Sequence, residues 1–103
     1  MLNDGAIEGI ARSAARAENA TPGWSEEAVV FLTEFARTKP DGFIAPIARR
    51  WCEEHGLSAP PSPYAWGGVF LKASRRGIIV RDGYEQYGDD SMHTQSVSRW
   101  KAA

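Results

Sequence analysis

Apolar residues recur along this chain in four separated stripes of helical period, and two short runs near its end alternate with the period of strands. The first stripe is Ile7, Ile10, Ala11, Ala14 and Ala17, which predicts a thin, alanine-rich helix over 4–19 with Glu8, Arg12, Arg16 and Glu18 off the apolar face. Thr21-Pro22-Gly23 interrupts it. A stronger stripe of Ala28, Val29, Phe31, Leu32, Phe35 and Ala36 predicts a second helix over 25–38, with Trp24 ahead of a Ser25 cap and Glu26 and Glu27 in the first turn. Lys39-Pro40-Asp41-Gly42 ends that helix, and Phe43-Ile44 reads as a short strand. Ile47, Ala48, Trp51 and Cys52 predict a third helix over 45–55, with Pro46 in its first turn and Gly56 as its stop.

The stretch from Ser62 to Val80 is the most informative. Ser62 is placed to cap a helix and Pro63 suits its first position, which predicts a fourth helix over 63–76. Trp66, Val69, Phe70 and Ala73 share its inward face, while Tyr64, Gly68, Leu71, Lys72 and Arg75 share the outward one. Arg75 and Arg76 complement the negative end of the helix before Gly77. Ile78-Ile79-Val80-Arg81 and Ser96–Lys101 then predict a hairpin over 78–101, with Asp82-Gly83 as a turn or bulge and Gly88-Asp89-Asp90-Ser91 at the tip. The expected core is Trp24, Phe31, Leu32, Phe35, Ile47, Trp51, Trp66, Val69, Phe70, Ile79 and Trp100.

These elements predict a mainly α protein with a small β-hairpin (α+β), arranged as a winged helix-turn-helix with an extra N-terminal helix. The N-terminal helix and linker occupy 1–23 and the winged-helix domain 24–103. So thin a helix needs a surface to dock on, either its own domain or a second copy in a homodimer. A length of 103 residues and 43% apolar content fit one soluble domain.

The formal net charge of −1 argues against coating of nucleic acid by bulk charge. Its distribution is uneven, because residues 57–82 carry four basic side chains and one acidic. A basic helix running directly into a strand makes double-stranded DNA the leading partner, with Tyr64, Gly68, Lys72, Arg75, Arg76 and Arg81 as the candidate contacts. The rival reading is a protein-interaction module that uses the acidic end of the hairpin, Glu85, Tyr87, Asp89 and Asp90, against a protein partner.

Catalysis is not expected, since no nucleophile motif, phosphate loop or carboxylate pair in a definable cleft is present. Cys52 and His55 at i, i+3, and Asp89, Asp90 and His93 near the tip, do not supply the paired ligands of a structural zinc, so neither metal nor cofactor is expected. One cysteine forms no internal disulfide, and no charged leader or long apolar run is present. A cytoplasmic location without a membrane segment follows as the expectation.

Gly9-Ile10, Pro22-Gly23-Trp24-Ser25, Phe43, Pro60-Pro61, Ala65-Trp66-Gly67, Arg76-Gly77-Ile78-Ile79, Gly83-Tyr84, His93 and Trp100 occur in an order that resembles small bacteriophage and prophage proteins, mostly uncharacterised. The resemblance spans nearly the whole chain. It implies a phage origin, and so a place in the host bacterial cell, and a winged-helix-like domain, without supplying an activity. With that origin, the DNA-binding reading becomes a regulatory or replication and recombination accessory role, and the rival reading becomes capture of a host or phage protein through the acidic wing, as by an anti-CRISPR. Those proteins tend to carry arginines in the hairpin after Gly-Tyr. This chain has Glu85-Gln86-Tyr87-Gly88-Asp89-Asp90 there, and acids at a wing tip repel phosphate.

Overall fold

Trp24 begins an amphipathic helix of 14 residues, against which two further helices and the central strand of the sheet pack. The structure is a computed structural model that describes residues 12, 15–88 and 95–103. The described part of the first helix is α1 (15–20), followed by α2 (Trp24–Arg37), β1 (Phe43–Ile44), α3 (Ala45–Glu54), α4 (Ala65–Arg75), β2 (Ile79–Tyr87) and β3 (Gln95–Ala102). The fold is α+β, with one antiparallel sheet in the order β1-β3-β2. Most of the predicted first helix, including Ile7, Ile10, Ala11 and Ala14, lies outside the described residues, as do Asp89, Asp90 and His93 at the hairpin tip.

Two helix starts differ from the sequence expectation, each for a local reason. Trp24 is itself helical, and Ser25 does not cap α2. The Glu18 side chain from α1 takes that role, accepting bonds from the Gly23 amide at 2.8 Å, the Ser25 amide at 3.1 Å and the Ser25 hydroxyl. A carboxylate there satisfies free N–H groups and complements the positive end of the helix. α4 begins two residues later than expected, because residues 62–67 are joined by three i→i−3 bonds of 3.1 Å, from Ala65 to Ser62, Trp66 to Pro63 and Gly67 to Tyr64. Such tight turns are common at helix starts. Ser62 still accepts the Tyr64 amide, at 3.3 Å.

In the sheet, Phe43 pairs with Trp100 and Ile44 with Arg99, while β2 and β3 pair from Ile79–Ala102 to Tyr87–Gln95. The register shifts between Arg81 and Tyr84, so Asp82-Gly83 form the expected bulge, with Gly83 at φ +82°. Gly42, at φ +98°, is needed for space as well. A Cβ there would come within 2.7 Å of the Arg99 guanidinium and 3.1 Å of the Trp100 carbonyl oxygen.

The core lies between α2, α4 and the sheet. α2 supplies Trp24, Ala28, Leu32, Phe35 and Ala36, and α4 supplies Ala65, Trp66, Val69, Phe70 and Ala73. Ile79 and Trp100 close it from the sheet, and Phe70 meets Trp100 with ring centroids 5.4 Å apart. Ala17 of α1 is buried in the same cluster, so this end of the first helix packs on its own chain. Phe31, Ile47 and Trp51, expected inside, are half-buried at the core margin. Trp51 instead stacks on His55 at 4.0 Å.

Trp66 is 2% exposed and touches both Trp24 and Phe70. Trp66→Ala should lower unfolding free energy by roughly 3–5 kcal/mol in chemical denaturation. A change near zero would contradict its place in the core.

Candidate nucleic-acid interface

The six candidate DNA contacts separate into three groups. Tyr64, Gly68 and Arg75, with Leu71 between them, form one stripe along the side of α4 away from its buried residues. Tyr64 is 71% exposed, and Arg75 is exposed with no ion pair among the described residues.

Lys72 and Arg76 form the second group, and they are not open cations. One turn apart, they edge α4 where it packs on α2, whose first turn carries Glu26. Arg76 donates two bonds to the Glu26 carboxylate, at 2.8 and 2.6 Å, and the Lys72 ammonium donates to Glu26 at 3.2 Å and to the Ser25 hydroxyl at 3.0 Å. The fork of the arginine fits a carboxylate in this bidentate way. Arg76 first, and Lys72 second, hold the Glu26 pKa down to about 2. The Ser25 hydroxyl, with the Ser25 and Gly23 amides, lowers that of Glu18. A polar chain Glu18–Ser25–Lys72–Glu26–Arg76 therefore ties α1, α2 and α4 together.

Arg81 is alone in the third group. It lies opposite Trp100 in the sheet, with its guanidinium 5.3 Å from the Trp100 ring centroid and 5.6 Å from that of Tyr84, and it donates to the Tyr84 hydroxyl at 2.9 Å. This stacking covers an edge of the core.

Of the alternative, acidic set, Glu85 is ion-paired with Arg99. Arg99 sits opposite the bulge, between the Arg81–Trp100 and Tyr84–Ser98 pairs, where it also donates to the Asp41 carbonyl at 2.8 Å and lies 3.9 Å from Asp82. Tyr87 is half-buried and its hydroxyl accepts a bond from Arg50 at 3.3 Å.

That last contact borders a groove of about 390 Å³ that the sequence reading did not anticipate. Pro46, Arg49, Arg50 and Glu53 line it from α3, Pro60 and Pro63 from the connection, Trp66 from α4 and Tyr87 from the end of β2. Adjacent arginines on a helix carry no periodic signal, and only the approach of Tyr87 and of the proline-rich connection to α3 gives this pair a cavity to line.

Among the described residues no group of three His, Cys, Asp or Glu side chains could hold a metal ion. Cys52 is buried in α3, and burial first, then Glu53, pushes its thiol up to about 12. No described helix is long and apolar enough to cross a membrane. The chain matches no family model, no curated protein and no solved structure.

Two measurements check these surroundings. Since Glu26 titrates below its ordinary value of 4.5, its pairing stabilises the fold above that value and the contribution is lost as pH falls toward 2. Carboxyl NMR should give Glu26 a midpoint near 2, and Glu26→Gln should remove part of the acid-induced loss of stability between these limits. A midpoint near 4.5 would mean that the cluster is open in solution. Cys52 should resist thiol reagents at neutral pH until the chain unfolds, whereas rapid labelling of native protein would contradict its burial.

Proposed function

We propose that this chain is a winged helix-turn-helix protein that binds double-stranded DNA through the outward stripe of α4. The order α2-β1-α3-α4-β2-β3 with strands arranged β1-β3-β2 supports this reading. In it α3 and α4 are the helix pair, β2 and β3 the wing, and β1 the short strand that completes the sheet.

The observation that carries the proposal is the division of α4 into two faces. Ala65, Trp66, Val69, Phe70 and Ala73 are buried, and the opposite side offers Tyr64, Gly68, Leu71 and Arg75. The major groove, about 12 Å wide, admits one helix, and glycine near its middle lets the backbone approach the base edges. Arg75 would donate to a guanine edge or a phosphate, and the Tyr64 hydroxyl to a phosphate. With Lys72 and Arg76 both drawn onto the Glu26 carboxylate, few phosphates are contacted from this helix, in keeping with a net charge of −1. The rival role of the hairpin in binding a protein draws less support, because Glu85 is already ion-paired with Arg99 in the fold.

Arg75→Ala should weaken duplex binding by roughly 1–3 kcal/mol if the contact is to a base edge, or flatten the salt dependence by about one if it is to phosphate. Lys72→Ala should have the smaller effect. Absence of duplex binding by the unaltered chain at low salt would overturn the proposal, and loss from Lys72→Ala alone would move the interface off the stripe.

A further inference from the structure

We infer that the groove between α3, the proline-rich connection and the end of β2 is a phosphodiester site, anchoring the DNA strand that runs beside α4. This inference rests on the reading of the chain as a duplex-binding protein, and it assigns a role to residues outside the outward stripe.

The donors are in place, and neither arginine is held by a carboxylate among the described residues. Arg49 has no ion pair among the described residues. Arg50 makes one side-chain contact, to the Tyr87 hydroxyl at 3.3 Å, which leaves most of its guanidinium N–H groups available. Because that hydroxyl accepts from Arg50, its own proton is free to be donated to a ligand oxygen. Two guanidinium groups and a phenol converging on one groove match the oxygens of a phosphate. Glu53 is the one carboxylate in the lining, and it is engaged by the Trp66 indole N–H at 3.4 Å.

The walls and the position of the groove narrow the ligand further. Pro46, Pro60 and Pro63 give rigid apolar surfaces without N–H donors, suited to the faces of a sugar rather than to the amides of a peptide strand. Pro63 directly precedes Tyr64, the first residue of the outward stripe. A strand seated in the groove thus continues onto α4, so the anchor sets the register in which the stripe meets the bases. An acidic peptide could answer the arginines, but would have no use for that continuity.

The test is fluorescence anisotropy of a labelled duplex with the full chain across a salt series, comparing Arg49→Gln with Arg50→Gln combined, Tyr87→Phe, and Glu53→Gln. The double variant should bind more weakly and flatten the log–log salt slope by about one to two, roughly 0.9 for each lost phosphate contact, equally for duplexes of different sequence. Tyr87→Phe should reduce affinity with little change in slope. Glu53→Gln should tighten binding, a gain that damage to the fold cannot imitate. Unchanged affinity and slope in the double variant, with the unaltered chain still binding duplex, would overturn the site and leave the α4 reading intact. Failure of the unaltered chain to bind duplex, with or without capture of a glutamate-rich peptide, would overturn both.

Discussion

The Trp24 indole is the contact on which the arrangement of the helices depends. It is 1% exposed at the first turn of α2, and its N–H donates at 2.7 Å to the carbonyl of Ser58, 34 residues further along the chain. Its ring meets Trp66 of α4 edge-on, with centroids 5.4 Å apart. One side chain therefore fixes the start of α2, the entry to the proline-rich connection and the inward face of α4. The hydrogen bond matters as much as the ring, since a buried N–H left without a partner costs about 1–3 kcal/mol. With Ser58 held, the prolines that follow deliver α4 at one angle to α2.

Charge then settles which cations of α4 remain open once its apolar face has fixed its rotation. The Glu26 cluster is largely exposed, and ion pairs of this kind add little to stability. Its consequence is selective. By drawing Lys72 and Arg76 toward α2, it leaves Arg75 as the open cation on the stripe and reduces the positive charge that a nominally basic helix presents. On the proposed DNA-binding reading, specific contact by a few groups suits such a surface better than broad electrostatic attraction, and the Arg49–Arg50 groove would supply the charge that α4 withholds.

Much of the fold was legible in local signals. Prolines and glycines at 22–23, 40–42 and 56 mark helix ends, Phe43-Ile44 was readable as a strand, and Asp82-Gly83 as a bulge, because each depends on backbone preferences within a few residues. What escaped the sequence depends on distant partners. Glu18 caps α2 from another helix, Glu26 meets Lys72 and Arg76 from 46 and 50 residues away, and Arg50 meets Tyr87 from 37. Helical period places Lys72 with Arg75 near the outward face, but one position of rotation separates a free cation from one within reach of α2. Ala17 was assigned to a thin stripe whose destination only the packed core reveals.

Amide chemical-shift mapping of the full chain, titrated at low salt with a short DNA duplex, reads the interface residue by residue. The proposed orientation requires shifts at Tyr64, Gly68, Leu71 and Arg75, joined by Arg49, Arg50 and Tyr87, with little change around Val30, which is 62% exposed on α2. Shifts confined to the Val30 face, or none anywhere, would contradict the assignment of α4 as the DNA-facing helix.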